Sequence, residues 1–539
     1  MGGVNLTTLP NDVGALKNLI ADLKNSYEQL LHEKTEKEKL VSILEEQVAF
    51  FKDKLYGRRS EKWSEADLHQ MRLFNEAELG VEQVIEISES TTVSVTSHRR
   101  NKAGRRPLPE GLPRVEVTHD LEEKDKVCEC GAKLTRFGGE PSERLDVIPA
   151  QVRVIRHIRY KYACRKCEGV ECENGGAVKI APVPQQMIPK SIASAGLLAH
   201  VITSKFVDAV PFYRQEKQFL RLGVHLKRAT MCLWAIRVAL RSEVLLELLH
   251  EEILAGPLVR IDETPLQVLN EPGRAATTKS YMWVFVGGAV DKPAVVYLYH
   301  PTRDGSVPLQ YLKGYHGYVQ TDGYTGYNEL GRQPGITMLG CMAHARRKFF
   351  EVAKVTKNAM SAREALSRIK KIYAVEHEGK DCKLEAQQIK QLRQEKSVAL
   401  LDAFKKWLDN KVDQVPPKSL LGKAVRYSLG QWDRLIRYVE DGILTPDNNV
   451  AENAIRPFVV GRKNWLFNYH PQGAAASAAL YSLIETAKAN KLEPYFYLRY
   501  LFDRLPLIDG NRDELKKLLP QYVDKAKVRN QNFYEPRPP

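Results

Sequence analysis

Three carboxylates that lie far apart in the sequence have the types and settings needed for metal-dependent phosphodiester chemistry. Asp262 and Asp322 each end an apolar run that predicts a β-strand, where a carboxylate would face the open edge of a sheet. Glu452 lies in a segment that predicts a helix. Together the three could hold two Mg²⁺ (or Mn²⁺) ions about 3.5–4 Å apart, which would polarise a scissile phosphate and activate a water or a 3′-OH.

Each of these acids also has an ordinary structural explanation. Aspartates at strand ends are often turn caps, and single glutamates on helices usually face solvent. Glu263, Asp304 and Asp447 are competing acids in the same region. The order of the strands, the apolar run into each aspartate and the cationic surroundings of Glu452 together favour the catalytic interpretation.

The segment around Glu452, residues 447–467, predicts a helix with one polar stripe. Side chains three and four residues apart share a helix face, so Asn448, Asn449, Glu452 and Arg456 would form that stripe. Pro446 marks the start of the helix and Pro457 a stop or a kink. The cationic and aromatic residues that follow favour a polyanionic partner.

Several basic residues near the carboxylates are candidates for contacts with DNA phosphates. They are Arg346, Arg347, Arg456, Arg462 and Lys463. His344 follows the fifth predicted strand and forms a CxxH pattern with Cys341, which leaves open a metal pair. For His344 we favour contact with DNA or a position beside the metal ligands.

Five strand-like runs, interrupted by helical sequence, predict a mixed sheet. The runs cover residues 257–264, 281–286, 294–299, 318–324 and 336–340. The charged helical sequence that follows predicts an insertion at about 352–440 within a catalytic domain over 255–490. Residues 491–539 predict a helical C-terminal tail. The fold class is therefore multidomain, α+β or α/β.

Residues 190–250 predict three helices, at 197–207, 211–220 and 227–240, with a turn at Gly223. The pattern is compatible with a helix-turn-helix-like domain in which Lys227 and Arg228 begin the helix that contacts DNA. An ordinary helical bundle is the alternative.

Two close pairs of cysteines predict a small zinc-ribbon-like domain over 115–185. Cys128 and Cys130 would meet Cys164 and Cys167 across strand-forming sequence and hold a structural Zn²⁺. The first pair is CxC rather than the usual CxxC, and Cys172 could replace one ligand. Reduced structural cysteines, or a site that has lost its metal, are the alternatives.

The N-terminal region, residues 11–60, carries an apolar seam with 4-3 spacing that predicts a coiled coil and at least a homodimer. The seam consists of Leu16, Ile20, Leu23, Tyr27, Leu30, Val41, Leu44, Val48, Phe51 and Leu55. An amphipathic helix packed on its own domain is the alternative. Residues 61–114 predict a flexible linker whose basic run, with Arg105 and Arg106, either lies along DNA or is simply solvated.

Charge and hydropathy narrow the class of partner. Lys and Arg number 81 against 66 Asp and Glu, which gives a formal charge of +15 and favours nucleic acid. The sequence has no apolar run long enough to span a bilayer and no signal-peptide pattern, so we expect no membrane partner and a cytoplasmic, nucleoid-associated protein.

Nine ordered motifs carry a resemblance over nearly the whole chain. They are LYGRRSEK (55–62), GRRPLPEGLPR (104–114), CECG (128–131), YACRKCE (162–168), SKFVDAVPFYRQE (204–216), IDETP (261–265), QTDGYTGYNEL (320–330), GCMAHARRKFFE (340–351) and DNNVAENAIRPFVVGRKNWLF (447–467). The chain resembles transposases of the insertion sequence 66 family. That resemblance implies a DDE-type transposase with a ribonuclease-H-like core, and it assigns the triad to Asp262, Asp322 and Glu452. It also implies a zipper-like N-terminus and a zinc-binding segment.

Three functions remain open at this point. The first is an active transposase that binds the double-stranded terminal repeats of its element and target DNA, with accessory proteins of the same element as possible partners. The second is a non-catalytic DNA-binding protein derived from such an element. The third is a ribonuclease-H-like nuclease or junction resolvase, which would leave the zipper, the ribbon and the helix-turn-helix without a purpose.

Overall fold

The computed structural model describes residues 12–56, 152–163, 178–356 and 359–529. The predicted zinc ligands Cys128, Cys130, Cys164 and Cys167 and the basic residues Arg105 and Arg106 lie outside these residues, so those assignments stay predictions. The chain divides into two units, one formed by Met1–Val84 with Pro184–Pro539 and the other by Ile85–Val183. Within the described residues, no helix is both long and apolar enough to cross a membrane.

In the smaller unit, the described residues form one pair of antiparallel strands, β1 (Lys161–Ala163) and β2 (Val178–Ile180). The Arg159 Nε donates a hydrogen bond to the Ala181 carbonyl at 2.7 Å and extends the pairing by a side-chain contact.

The N-terminal region forms one continuous helix, α1 (Val13–Tyr56). Along the predicted seam, apolar side chains such as Leu23 and Leu30 are exposed to solvent. A different side of α1 faces the rest of its unit, where Glu46 accepts a hydrogen bond from the Leu420 N–H at 3.4 Å. The seam is therefore available to a partner, and self-association stays a prediction.

The three predicted helices after residue 190 are present. They are α2 (Ala195–Phe206), α3 (Phe212–Arg221) and α4 (Arg228–Arg241), and α5 (Glu243–Ala255) follows. Gly223 has a φ of +78° between α3 and α4, a conformation that glycine adopts without steric cost. The buried Gln215 donates to the Val201 carbonyl at 3.1 Å and ties α3 to α2.

All five predicted strands are present in one mixed sheet. They are β3 (Leu258–Gln267), β4 (Lys279–Ala289), β5 (Lys292–His300), β6 (Gly317–Gln320) and β7 (Ile336–Leu339), and the short helix α6 (Ser306–Tyr311) lies between β5 and β6. The strand order is β5-β4-β3-β6-β7, antiparallel from β5 to β3 and parallel from β3 to β7. The interior residues of β4 are fully buried, which explains their continuous apolar run.

The predicted position of Asp262 at a strand end needs correction, because β3 continues beyond it to Gln267. The parallel pairing of β3 with β6 ends at Arg260, whereas its antiparallel pairing with β4 continues to Gln267. Asp262 therefore lies just past the point where the parallel neighbour ends. Asp322 follows the end of β6 at Gln320, as predicted.

The sequence between β7 and Glu452 is helical and has its own core. Its helices are α7 (Met342–Val355), α8 (Met360–Asp381), α9 (Ala386–Leu392), a π-helical turn (Arg393–Ser397), α10 (Val398–Val412), α11 (Leu420–Gly430) and α12 (Trp432–Ile436). Phe349, Phe404 and Trp407 pack together in this core.

The helices after the insertion return to the sheet. They are α13 (Asn449–Trp465), α14 (Pro471–Ala489), α15 (Pro494–Arg504), α16 (Arg512–Lys516) and α17 (Lys525–Arg529). The Ser482 and Thr486 hydroxyls on α14 accept hydrogen bonds from the Tyr297 and Val295 N–H groups at 2.8 and 3.0 Å. These bonds cover the edge of β5.

Pro457 does not end α13, which continues through it to Trp465. A proline inside a helix removes one backbone hydrogen bond and costs about 3 kcal/mol. Ile455 and Phe458 on either side of it are buried in the sheet core, and their burial offsets that cost.

Candidate active site

Three hydrogen bonds fix the start of α13, and with it Glu452, against the sheet. The Asn448 side chain, which is 1% exposed, donates to the Ile261 carbonyl at 2.8 Å. The Asn448 N–H donates to Cys341 Sγ at 3.2 Å, and the Gln320 side chain donates to the Thr445 carbonyl at 2.7 Å. The first turn of α13 is thereby held beside the strand that carries Asp262.

Asp262 lies among other carboxylates. Burial, together with the charges of Glu263, Glu452 and Asp322, raises the pKa of Asp262 to about 8, although the Glu263 N–H donates to its Oδ1 at 2.9 Å. Glu452 and Asp322 thus lie near enough to Asp262 for their charges to oppose its ionisation. Such a cluster of like charges is typical of a site that binds a cation.

Glu452 has few partners of its own chain for its charge. Its Oε1 is buried with no hydrogen-bond partner among the described residues and lies 3.6 Å from His344 Nδ1. Its Oε2 lies 3.5 Å from Arg347 Nη2, whose side chain is largely exposed. Burial lowers the pKa of His344, which opposes the effect of the neighbouring Glu452 carboxylate. His344 and Arg347 are thus the predicted DNA-contacting residues that reach the carboxylates.

The competing acids have partners of their own, and Asp322 Oδ1 likewise accepts a local hydrogen bond from the Tyr324 N–H at 2.9 Å. Glu263 is nearly fully buried, pairs with Arg303 and accepts a hydrogen bond from the Tyr327 hydroxyl. Asp447 Oδ1 accepts from the Asn449 N–H at 3.2 Å and caps the start of α13. Asp304 Oδ1 accepts from the Ser306 N–H at 2.8 Å at the start of α6. Each has a local structural role.

The remaining predicted basic residues are spread over several elements. Arg462 Nη1 donates to the Thr264 hydroxyl at 3.2 Å, on the strand that carries Asp262. Arg456 and Lys463 are exposed on α13. Arg346 is half-buried and lies over the Phe350 ring at 5.8 Å, which turns it toward the insertion core.

Lys227 and Arg228 are exposed at the start of α4, where the Arg228 N–H donates to Glu216 Oε1 at 3.2 Å. The structure does not bring either residue to the carboxylates.

Two residues that support the site were missed in the sequence. The half-buried Arg260 donates to Gln320 Oε1 at 3.2 Å, and desolvation of its guanidinium lowers its pKa to about 10. The sequence feature that could have indicated this residue is an arginine within the apolar run of β3. Tyr427 of α11 packs against Gly323, where any Cβ would lie 2.5 Å from its hydroxyl. The insertion therefore supports the turn after Asp322, and no local pattern indicates that contact.

Comparison with known families identifies four segments. The model described as "Transposase IS66 family" matches residues 190–476. The model described as "zinc-finger binding domain of transposase IS66" matches residues 125–168. "Transposase C of IS166 homeodomain" matches residues 43–117, and "IS66 C-terminal element" matches residues 482–521.

Three curated proteins from Sinorhizobium fredii are similar over most of their lengths. Uncharacterized protein y4jD is 33% identical over 511 residues, covering 92% of this chain and 97% of the relative. Uncharacterized protein y4qI is 31% identical over 467 residues, with 84% and 83% covered. Uncharacterized protein y4hP is 28% identical over 515 residues, with 89% and 88% covered.

Proposed function

The chain belongs to the IS66 family of transposases, and from that premise we propose that it is a DDE transposase. It would cut DNA at the ends of an insertion element in a Mg²⁺-dependent reaction and join the 3′-OH to target DNA. The observation that supports this proposal is that Asp322 and Glu452, from distant parts of the sequence, lie near enough to Asp262 for their charges to raise its pKa.

The sheet supports a ribonuclease-H-like core for this reaction. Asp262 lies on the central strand β3, and Asp322 follows the adjacent parallel strand β6. Glu452 comes from the first turn of α13, after the helical insertion. The insertion supports the site through Tyr427, so we assign it a positioning role.

The carboxylates fit divalent cations with oxygen ligands. Asp262 has the carboxylates of Glu263, Glu452 and Asp322 as neighbours, and Glu452 Oε1 is a buried acceptor with no donor in the part of the chain that the structure describes. Asp262, Asp322 and Glu452 would hold the ions, which when bound supply Lewis-acid polarisation of the phosphodiester and activation of the attacking oxygen. The role of the protein is to hold three acids together against their repulsion.

The basic residues around the site would bind the DNA backbone. Arg347 and Arg462 lie beside the elements that carry the carboxylates, and Lys463 is exposed on α13. When Arg347 contacts a DNA phosphate, its guanidinium would be shared between that phosphate and Glu452. Binding through phosphates positions DNA without reading its sequence.

Other segments would serve assembly and DNA recognition. We propose a coiled coil through the exposed seam of α1, a zinc ribbon held by Cys128, Cys130, Cys164 and Cys167, and DNA contacts from α4. The match of the zinc-finger model to residues 125–168 supports a structural Zn²⁺. The protein would act on the DNA of the bacterial nucleoid, with accessory proteins of the element as candidate partners.

The self-association proposal is tested by two substitutions in the seam. Burial of one Leu side chain contributes about 1.5–3 kcal/mol, so Leu23→Lys combined with Leu44→Lys should dissolve a dimer. Light scattering should then give the mass of a single chain. An unchanged mass would assign the seam to another role.

The catalytic proposal is tested with the full chain and DNA carrying the ends of its element. We expect end-specific cleavage and joining with Mg²⁺ or Mn²⁺, and none with EDTA. Binding of ends without cleavage in either metal would favour the non-catalytic DNA-binding protein. Cleavage without joining and without preference for ends would favour a nuclease or resolvase.

A further inference from the structure

A second set of potential metal ligands adjoins the carboxylates. Cys341, His344 and Glu452 offer a sulfur, a nitrogen and an oxygen that all lie within 4.8 Å of one another. Cys341 precedes α7 and His344 lies in its first turn, so the CxxH spacing places both on one side of that turn. Glu452 reaches them from α13.

Two of these ligand atoms have no other partner in the described part of the chain. His344 Nδ1 and Glu452 Oε1 are both buried without a hydrogen bond. They lie 3.6 Å apart, which is too long for a hydrogen bond between them. Buried polar atoms without partners are costly, so two of them that face each other favour the binding of a shared cation.

The separation of these atoms suits coordination. In a tetrahedral zinc site, metal–ligand distances near 2 Å place a nitrogen and an oxygen about 3.4 Å apart. The observed 3.6 Å requires little movement of His344 or Glu452. Cys341 Sγ is buried and already accepts a hydrogen bond from the Asn448 N–H, a contact that would also stabilise a thiolate.

We propose that Cys341, His344 and Glu452 form a binding site for a borderline transition-metal ion of the Zn²⁺ class. Thiolate and imidazole ligands favour such ions over Mg²⁺, which prefers oxygen. Three protein ligands leave the fourth position for water or a phosphate oxygen. The site uses none of the cysteines of the zinc-finger segment.

Arg347 must move when the ion binds. Its Nη1 lies 3.5 Å from His344 Nε2, where it can donate only while that nitrogen carries no proton. Coordination through Nδ1 puts the ring proton on Nε2, so the exposed Arg347 side chain turns to solvent or DNA. Arg347→Gln should therefore leave ion binding intact or strengthen it.

The consequence for catalysis rests on the proposed function, because Glu452 is shared. A Zn²⁺ ion held by Cys341 and His344 would withdraw Glu452 from the Mg²⁺ ligands. Low concentrations of Zn²⁺ should then inhibit Mg²⁺-dependent cleavage. Binding of the ion itself requires no catalysis, so the two claims can fail separately.

The test measures Co²⁺ binding to the full chain by equilibrium dialysis and by the absorption band of cobalt bound to thiolate. Cys341→Ser and His344→Gln are compared with wild type, and Cys382→Ser, which changes an exposed cysteine, is the matched control. Asp262→Asn changes a proposed Mg²⁺ ligand outside this site, so it distinguishes an ion bound by Cys341 and His344 from one bound by the Mg²⁺ ligands.

We expect Cys341→Ser and His344→Gln each to bind one equivalent of Co²⁺ less than wild type, or to bind it at least about tenfold more weakly. Cys382→Ser should match wild type, and Asp262→Asn should keep the absorption band of cobalt bound to thiolate. His344→Gln decides the outcome if Cys341→Ser does not fold. Equal stoichiometry and equal affinity in wild type and His344→Gln would overturn the proposal, whether or not the protein cleaves DNA.

Discussion

Two groups of buried charges in this molecule differ in how they are balanced. In the insertion, the buried Arg393 pairs with both oxygens of Glu376 at 2.9 and 2.6 Å. Its remaining donors reach the carbonyls of Tyr438, Asp441 and Leu444 at 2.8–2.9 Å. The chain itself therefore satisfies this guanidinium completely.

The carboxylates around the central strand β3 are not balanced in this way. Asp262, Asp322 and Glu452 lie together, and the basic group nearest to Glu452, Arg347, is 3.5 Å away and mostly exposed. A buried charge whose partners are all supplied by the chain has a structural role. A buried excess of one sign indicates a place for an ion of the other sign. The contrast separates structural acids from candidate catalytic acids.

The largest expected effect concerns the unbalanced group. Glu452→Gln and Asp322→Asn keep the size of each side chain and remove the charge that would hold Mg²⁺. We expect cleavage of element ends to fall by several orders of magnitude in each variant, while DNA binding stays near wild type. Combining the two should cost little more, because the ligands act as one unit. Independent, additive losses would argue against a shared site.

Substitutions in the paired group of Arg393 and Glu376 should change the free energy of unfolding instead of DNA cleavage. Arg393→Met leaves Glu376 buried and unpaired, which should cost about 3–5 kcal/mol and lower Tm. Its matched control is Lys396→Met, which removes an exposed pair with Glu378 at 2.6 Å and should cost about 1 kcal/mol or less. Similar Tm values for the two variants would mean that the Arg393 group contributes no more than a surface pair.

Mg²⁺ should stabilise the fold through the unbalanced carboxylates and not through the Arg393–Glu376 pair. Mg²⁺ at a hundredfold excess over its Kd should stabilise the wild type by about 2.7 kcal/mol. Because the pKa of Asp262 is raised to about 8, binding at neutral pH releases a proton, so the effect should grow from pH 6.5 to 8.5. Thermal unfolding of Asp262→Asn should show little Mg²⁺ dependence. An equal shift in that variant would place the ion elsewhere.

The smallest effects concern the basic residues that flank the carboxylates. If Arg462 and Lys463 each bind one phosphate, replacing either should reduce the slope of log K against log salt by about 0.9. Arg462→Gln and Lys463→Gln should weaken binding to element ends and to random duplex alike. A changed sequence preference with an unchanged slope would indicate contacts with bases.

The sequence was sufficient where the signal was local. Apolar runs predicted all five strands, because β4 is buried from residue 282 to 288 and β5 from residue 294 to 297. The helical period predicted α2 to α4 and the helix that carries Glu452. Asp262 and Asp322 were placed at the ends of such runs, although Asp262 lies within its strand, and Glu452 was placed on a polar helix stripe. Their role as metal ligands stays a prediction.

Features that depend on distant contacts were not predicted. Asn448 was assigned to a polar stripe, but its side chain is buried and bonds to the Ile261 carbonyl. Arg393 belongs to a charged helical sequence whose pattern gives no sign of its buried partners. Pro457 predicted a stop or a kink in the helix, but α13 continues through it. The sequence indicates the local cost of a proline, whereas it does not indicate that Phe458 is buried.

A matched pair of aspartates tests the central claim most directly. Asp262→Asn changes an acid within the unbalanced group, and Asp304→Asn changes an exposed helix cap. Cleavage of end-containing DNA should be measured under single-turnover conditions, at saturating protein and in Mg²⁺. We predict a loss of several orders of magnitude for Asp262→Asn and nearly full activity for Asp304→Asn. Equal cleavage by wild type and Asp262→Asn would contradict the account.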